Sequence, residues 1–343
     1  MNMKYLQGKR NFQLEVKEKP VPIPGGNQVL VQVQACGVCG SDLNLLRHSE
    51  EFMPLGHEIS AQVIEIGPSV TKVQAGDKVV VEDQTACGTC SYCKNGETCF
   101  CSSMYSLEGQ SGMGEYLCVH ENMLVPYEGL DAFEATFVEP LAVCINTYMA
   151  SGLPMNGNLV IWGLGPLALM CVGLAKRFNT GKVICIGSKK GSVKNDVREK
   201  AALSLGADCV LYASDADLDR KIKDRACGRI DAAIVTSPPK TLPEAIETAS
   251  YGATIVPIGL DMGKNSSVWL DIDQLIFGKK KIVTVLAEPA RNFPLSIELI
   301  KNQVIPVKKL LTHKIRLTDT EQFQKVFSED SGVIKAIVIN NAE

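Results

Sequence analysis

The chain has 343 residues, a net charge of −3, and 45% hydrophobic against 21% charged residues, an ordinary globular composition with length for about two domains. No Lys/Arg block forms a phosphate-tracking arm, no apolar run reaches the roughly 20 residues of a membrane span, and residues 1–10 lack the apolar core of a leader peptide. Neither nucleic acid nor a membrane is an expected partner, the expected location is cytoplasmic, and the cluster Lys279, Lys280, Lys281 is expected to be a solvated loop.

The first half carries short β-branched stretches with period-2 alternation: Val29 to Val33, Ala61 to Ile66 and Lys78 to Val81. Turn chemistry separates them, at Gly67-Pro68-Ser69 and at Gln74-Ala75-Gly76-Asp77, so this half reads as a β-barrel-like or mixed β-domain. Within it lie Cys36-Gly37-Val38-Cys39-Gly40-Ser41-Asp42 and Leu55-Gly56-His57-Glu58, and later Val138-Glu139-Pro140-Leu141. Cys, His and Glu are all competent zinc ligands. Each element is weak alone, since Cys36 and Cys39 are equally core thiols and a His-Glu pair is commonly a surface feature.

Cys87, Cys90, Cys93 and Cys101 have the spacing C-x2-C-x2-C-x7-C. In a reducing compartment such a cluster among thirteen cysteines points to a closed, structural four-thiolate zinc site before disulfides. Cys99 competes with Cys101 for the fourth place, and the longer spacing favours Cys101.

From about Asn158 the pattern alternates: strand Asn158 to Trp162, helix Leu167 to Arg177, strand Val183 to Ile186, helix Arg198 to Leu205, and strands Cys209 to Leu211, Ala232 to Val235 and Ala253 to Ile258. Continuous apolar strands alternating with helices predict a doubly wound parallel sheet of the Rossmann type. Gly163-Leu164-Gly165-Pro166-Leu167-Ala168 falls between strand and helix, the context of a dinucleotide site: Gly163 for the turn, Gly165 for approach of the pyrophosphate, and Pro166 and Leu167 opening the helix whose N-terminus holds it. Where an acidic residue would bind the ribose 2′-hydroxyl at the end of the second strand stands Gly187, followed by Ser188, Lys189 and Lys190. Loss of the carboxylate and gain of hydroxyl and ammonium groups predict NADP(H) over NAD(H); the alternative is a solvated turn. The segment Gly191 to Asp196 is longer than usual and has no assigned role. The tail turns β-like again at Lys335 to Ile339.

Taken together, CGVCGSD at 36–42, GHE at 56–58, the four-Cys lobe, EPLAV at 139–143, GLGPLA at 163–168 and the stretch Pro306 to Leu317 resemble the zinc-containing medium-chain alcohol dehydrogenases, in their sorbitol (polyol) and threonine dehydrogenase branch. The resemblance covers essentially the whole chain. It implies an α/β protein with a GroES-like β-rich catalytic domain, residues 1–148 with a return at 288–343, and a Rossmann domain at 149–287. It further implies zinc ligation by Cys39, His57 and Glu58. Glu139 would be a further carboxylate that either ligates the metal in one state or hydrogen-bonds its water. Cys36 would be a buried thiol and Ser41 the hydroxyl that passes on the alcohol proton. Many relatives carry His where this chain has Asn44, and Asn cannot exchange a proton as His does, so the relay beyond Ser41 is open.

The activity implied is hydride transfer between the nicotinamide and a secondary alcohol or ketone, with a polyol-like substrate and a homodimer or homotetramer. Leu45 and Glu288 occupy substrate-side positions. Glu288 suits a polar or amine-bearing substrate such as an amino-polyol, unless it pairs with Arg291. The alternatives are a threonine-type amino alcohol dehydrogenase and a non-enzymatic nucleotide- and zinc-binding relative; the complete ligand set disfavours the latter.

Overall fold

The structure is a computed structural model, and it describes every residue except 179, 264–265, 287–290, 329–330 and 341–343. Glu288 lies outside the described residues. Among the described residues no helix is long and apolar enough to cross a membrane.

The alternating stretches of the first half form one curved sheet. Strand β1 (Gln28–Gly37) leads into helix α1 (Gly40–His48). Strand β2 (Glu58–Ile66) pairs antiparallel with β1, with register shifts at Leu30/Val31 and Val33/Ala35 that bend and twist the pair. Strand β3 (Lys78–Val81) adds to β2, β4 (Tyr116–His120) to β1, and β5 (Leu124–Pro126) to β3. Helix α2 (Val138–Ala150) then carries the chain to the second half.

There, β6 (Leu159–Trp162), α3 (Pro166–Arg177), β7 (Val183–Gly187), α4 (Val193–Ser204), β8 (Cys209–Tyr212), β9 (Ala232–Val235), β10 (Thr254–Pro257) and the short β11 (Lys281–Ile282) follow in turn. The six strands form an all-parallel sheet in the order β8-β7-β6-β9-β10-β11. Every residue of β6, β7 and β9 is buried, as expected for a sheet covered on both faces. Strand order reverses at β6, which opens a crevice at the carboxyl ends of the strands there.

The chain finally returns to the first sheet. Strand β12 (Leu311–Arg316) pairs parallel with β13 (Lys335–Ile339), and β13 pairs antiparallel with β1 through Ile337↔Gly37 and Val338↔Cys36. The first-half core is accordingly closed by late residues, Ile315, Phe323, Val333 and Val338 packing with Val29, Val31 and Leu117.

Two expectations are corrected. Helix α4 begins at Val193, not Arg198, because Ser192 Oγ accepts the Asn195 amide at 3.1 Å and caps the helix there. The segment 191–196 is therefore that cap and its first turn. The basic cluster is only in part a solvated loop: the Lys280 ammonium donates to the Ile246 carbonyl and Lys281 opens the edge strand.

Candidate active site

The turn between β1 and α1 and the turn before β2 are fastened to each other by one buried carboxylate. Asp42, 2% exposed, accepts the Cys39 amide at 2.9 Å on Oδ2 and the Gly56 amide at 2.8 Å on Oδ1. This fixes Cys39 at the N-terminus of α1 against His57, whose Nδ1 lies 4.0 Å from Asp42 Oδ1. Donor atoms of Cys39, His57 and Glu58 all fall within 4.8 Å of one another, a soft-and-hard mixture suited to a divalent ion such as zinc. Cys36 is fully buried and its thiol turns to its neighbour's carbonyl, Gly37 O, at 3.6 Å, apart from that cluster.

Glu58 is held from behind. Lys335 of β13, 2% exposed, makes an ion pair with Glu58, itself 1% exposed, and donates to the Val38 carbonyl at 3.1 Å. Burial disfavours the ammonium, but Glu58, Cys39 and Glu139 outweigh it, and the Lys335 pKa lies above its ordinary value. The approach of β1 to Glu58 is so close that a methyl group on Gly37 would overlap its carboxylate.

Glu139, in the first turn of α2, is buried but stands outside the three-donor group. Burial, reinforced by Glu58 and Asp83, pushes its carboxyl up to about 8. His57 is also shifted: burial opposes its imidazolium, yet Cys39, Asp42 and Glu139 together raise its pKa well above the ordinary value. Ser41 is half-buried in the first turn of α1, and half-buried Leu45 on the same helix packs against the first-half core.

The second cluster is an all-thiol site. Cys90 Sγ lies 3.5 Å from Cys93 Sγ and 3.8 Å from Cys101 Sγ, and Cys87 Sγ lies 4.0 Å from Cys93 Sγ. A zinc tetrahedron with Zn–S bonds of about 2.3 Å has sulfur–sulfur edges of about 3.8 Å, so the four thiols fit the ion as they stand. Cys99 is not in the group. Thr89, through hydroxyl and amide both at 3.4 Å, draws the Cys87 thiol down to about 7. Hydrogen bonds led by the Cys93 amide bring Cys90 to about 5, while burial and its thiol neighbours push Cys93 up to about 12.

The glycine turn follows β6 as expected. Gly163 has φ +127°, and a side chain there would run into Thr236 Oγ1. Gly165 caps α3 without a side chain, Pro166 occupies the first helical position, and the first-turn amides are left to a phosphate. Gly187 ends β7, where a Cβ would lie 2.8 Å from both Leu164 Cδ1 and Tyr212 Cε1, so any side chain there, acidic or not, would require those neighbours to move. Ser188, Lys189 and Lys190 are exposed beyond it. Asn195 ties this loop to α4, donating to Ser188 Oγ at 3.3 Å and to the Lys189 carbonyl.

Sequence reasoning missed Lys335, Asn195 and the clamping role of Asp42. Lys335 had a usable signal, because a lone lysine inside the apolar run Val333 to Ile339 needs a buried partner.

A parallel sheet with a glycine turn at its switch point, in a chain that also brings Cys39, His57 and the buried Glu58 together, defines a metal-assisted, dinucleotide-dependent oxidoreductase. Residues 25–129 match the alcohol dehydrogenase GroES-like domain and residues 166–302 the zinc-binding dehydrogenase family. The chain is 26% identical to sorbitol dehydrogenase of Bacillus subtilis over 355 residues, 99% of this chain and 98% of that protein. It is 30% identical to L-threonine 3-dehydrogenase of Pyrococcus horikoshii over 287 residues, 80% of this chain and 79% of that one. A Sinorhizobium meliloti protein described as a zinc-binding dehydrogenase, solved bound to NADP, superposes with a TM-score of 0.85 at 25% identity, covering 99% of both chains. The chain belongs to the zinc-containing medium-chain alcohol dehydrogenase family, in its polyol and threonine dehydrogenase branch. It is a dehydrogenase acting on a small molecule with zinc and a nicotinamide cofactor.

Proposed function

We propose that this enzyme oxidises a secondary alcohol of polyol type to its ketone, and reduces the ketone in reverse, with NADP(H) preferred. The observation that carries the reading is the convergence of Cys39, His57 and Glu58 within 4.8 Å. In this reading those three would hold the catalytic zinc, Glu139 would either ligate it in one state or hydrogen-bond its water, and Cys87, Cys90, Cys93 and Cys101 would hold a structural zinc. When bound, the zinc supplies Lewis-acid activation of the substrate oxygen and the nicotinamide takes the hydride. The chain's own residues do the rest. Asp42 keeps Cys39 and His57 in register, Lys335 orients Glu58, and Ser41 receives the hydroxyl proton. Gly163, Gly165, Pro166 and Leu167 seat the pyrophosphate at the N-terminus of α3.

Support for NADP(H) comes from the absence of an acid at Gly187 and the exposed Ser188 and Lys189 beside it, which match a phosphate in charge and hydrogen bonding. The polyol assignment draws on the sorbitol dehydrogenase relative. An amino alcohol is the second reading, favoured by the threonine dehydrogenase relative. The domain division proposed is 1–148 with 288–343, and 149–287, in a homodimer or homotetramer. The test is a kcat/KM screen of secondary alcohols, polyols and amino alcohols with both cofactors, alongside zinc analysis. Two zinc ions per chain and preference for NADP(H) with a polyol are expected. One zinc per chain, or a clear NAD preference, contradicts the corresponding part.

A further inference from the structure

Helix α1 carries more than Ser41. Ser41, Asn44 and His48 are three and seven residues apart and share one side of the helix. Asn44 is committed to structural bonds, donating to the Leu260 carbonyl at 3.0 Å and accepting from Arg47 Nη1 at 3.2 Å. Its amide cannot take up a proton near neutrality, so a proton path cannot end there. One turn further, His48 Nε2 lies 3.9 Å from Asp261 Oδ1. That carboxylate oxygen is buried and has no hydrogen-bond partner among the described residues.

Asp261 sits in the loop after β10, so the pair joins the two halves of the chain. Gly263 lies close against it. A Cβ on Gly263 would come within 2.8 Å of Asp261 Oδ1, 2.8 Å of His48 Cε1 and 3.1 Å of His48 Nδ1. Met262 between them is held at φ +58°, a left-handed conformation that side-chain-bearing residues keep only when their surroundings enforce it. Among the described residues the charged groups about His48 include Asp261 in the loop after β10 and Arg47 on α1, whose guanidinium is turned to Asn44; Glu50 is paired with Arg10.

We propose that His48, backed by Asp261, is the outer proton acceptor of the path that starts at Ser41, taking the place that Asn44 cannot fill. The proposal rests on the alcohol-oxidation reading above. Oxidation of an alcohol to a ketone breaks one C–H and one O–H bond: two electrons and the carbon's hydrogen leave as hydride to the oxidised nicotinamide cofactor, and the oxygen's proton must leave separately. That proton passes from the substrate hydroxyl to Ser41 Oγ, which releases its own outward, and on through water to the His48 imidazole. Seven residues of helix span about 10 Å, a gap that two side chains and intervening water cover. The His48 side chain is 40% exposed, and it returns the proton to solvent. Asp261 stabilises the imidazolium and carries no net proton itself.

The test uses the full-length, zinc-loaded protein with His48→Gln, Asp261→Asn and Gly263→Ala. In alcohol oxidation His48→Gln should lose about tenfold or more in kcat on the acid side of the profile, within the range of general-base effects, and regain activity as imidazole buffer is raised; the wild type should not respond to buffer. Asp261→Asn should lower kcat by a few-fold, because the imidazolium formed in turnover loses its carboxylate neighbour, and the larger loss of His48→Gln should mask this in the double variant. Gly263→Ala, which crowds the pair, should lower kcat in the same way. An active wild type whose folded His48→Gln variant keeps the wild-type profile and ignores buffer overturns this proposal alone. So does an Asp261→Asn loss that adds in full to that of His48→Gln. A wild type inactive on every alcohol overturns the functional reading and this one with it.

Discussion

Replacing Lys335 by Met isolates the ion pair behind the Cys39, His57 and Glu58 donor group. Lys335 and Glu58 are 2% and 1% exposed and lie in direct contact, so the variant leaves a carboxylate buried without its counter-charge. Removing one partner of such a pair costs about 3–5 kcal/mol, far more than the pair's net worth against an apolar replacement. Methionine occupies much of the same volume, so little of the loss would come from a cavity. The assay is urea unfolding of Lys335→Met and wild type, each stripped of zinc and then zinc-loaded. A loss of about 3–5 kcal/mol is expected without metal. It should shrink to less than half with zinc, because the cation beside Glu58 takes over the neutralising role and binding to the folded state adds stability. Adding Glu58→Gln should recover part of the metal-free loss, a non-additivity expected only for directly coupled groups. A metal-free loss below about 1 kcal/mol, the ordinary range for surface ion pairs, or a loss indifferent to zinc, would refute the reasoning.

Three further outcomes follow from separate features. Burial pushes the Glu82 carboxyl up to about 7 from 4.5, against the opposing pull of Thr85. The folded state therefore holds a proton that the unfolded chain has already released, and Glu82's contribution to stability is lost as pH rises from about 4.5 through about 7. Glu82→Gln should be more stable than wild type at pH 8 and no different at pH 4, measured by thermal unfolding at both values. Cys93→Ser should release one zinc per chain and Cys99→Ser none, by metal analysis of the purified variants. Lys189→Ala should raise the KM for NADP(H) by about tenfold, the equivalent of one charge-assisted contact, and leave the KM for NAD(H) unchanged, read from initial rates.

How far the molecule could be read in advance depended on the range of the interaction. Val29 to Val33 and Leu159 to Trp162 announce themselves as strands because half-buried and fully buried β-structure impose different patterns on neighbouring residues. The four zinc-spaced cysteines and the glycine turn were equally legible, since short loops bring their groups together. The start of α4 was not: Gly191, Ser192 and Lys194 look like a loop, and the capping bond from the Asn195 amide to Ser192 shows only once the backbone is placed. What Asn44 and His48 meet, Leu260 and Asp261, lies more than 200 positions away. Lys335 reaches Glu58 only because β13 returns to β1. Glu139 was read as a further carboxylate of the site and stands outside the three-donor group; whether a carboxylate points into such a group depends on backbone direction, which spacing does not carry.

The central claim is that two zinc ions bind per chain, one of them among Cys39, His57 and Glu58 within reach of the cofactor turn. Anomalous diffraction at the zinc edge, from crystals of the zinc-loaded protein with NADP bound, tests it most directly. The account predicts two peaks per chain, one enclosed by Cys87, Cys90, Cys93 and Cys101 and one between Cys39 and His57. A single peak in the thiol lobe, or a second one away from Cys39 and His57, would contradict it.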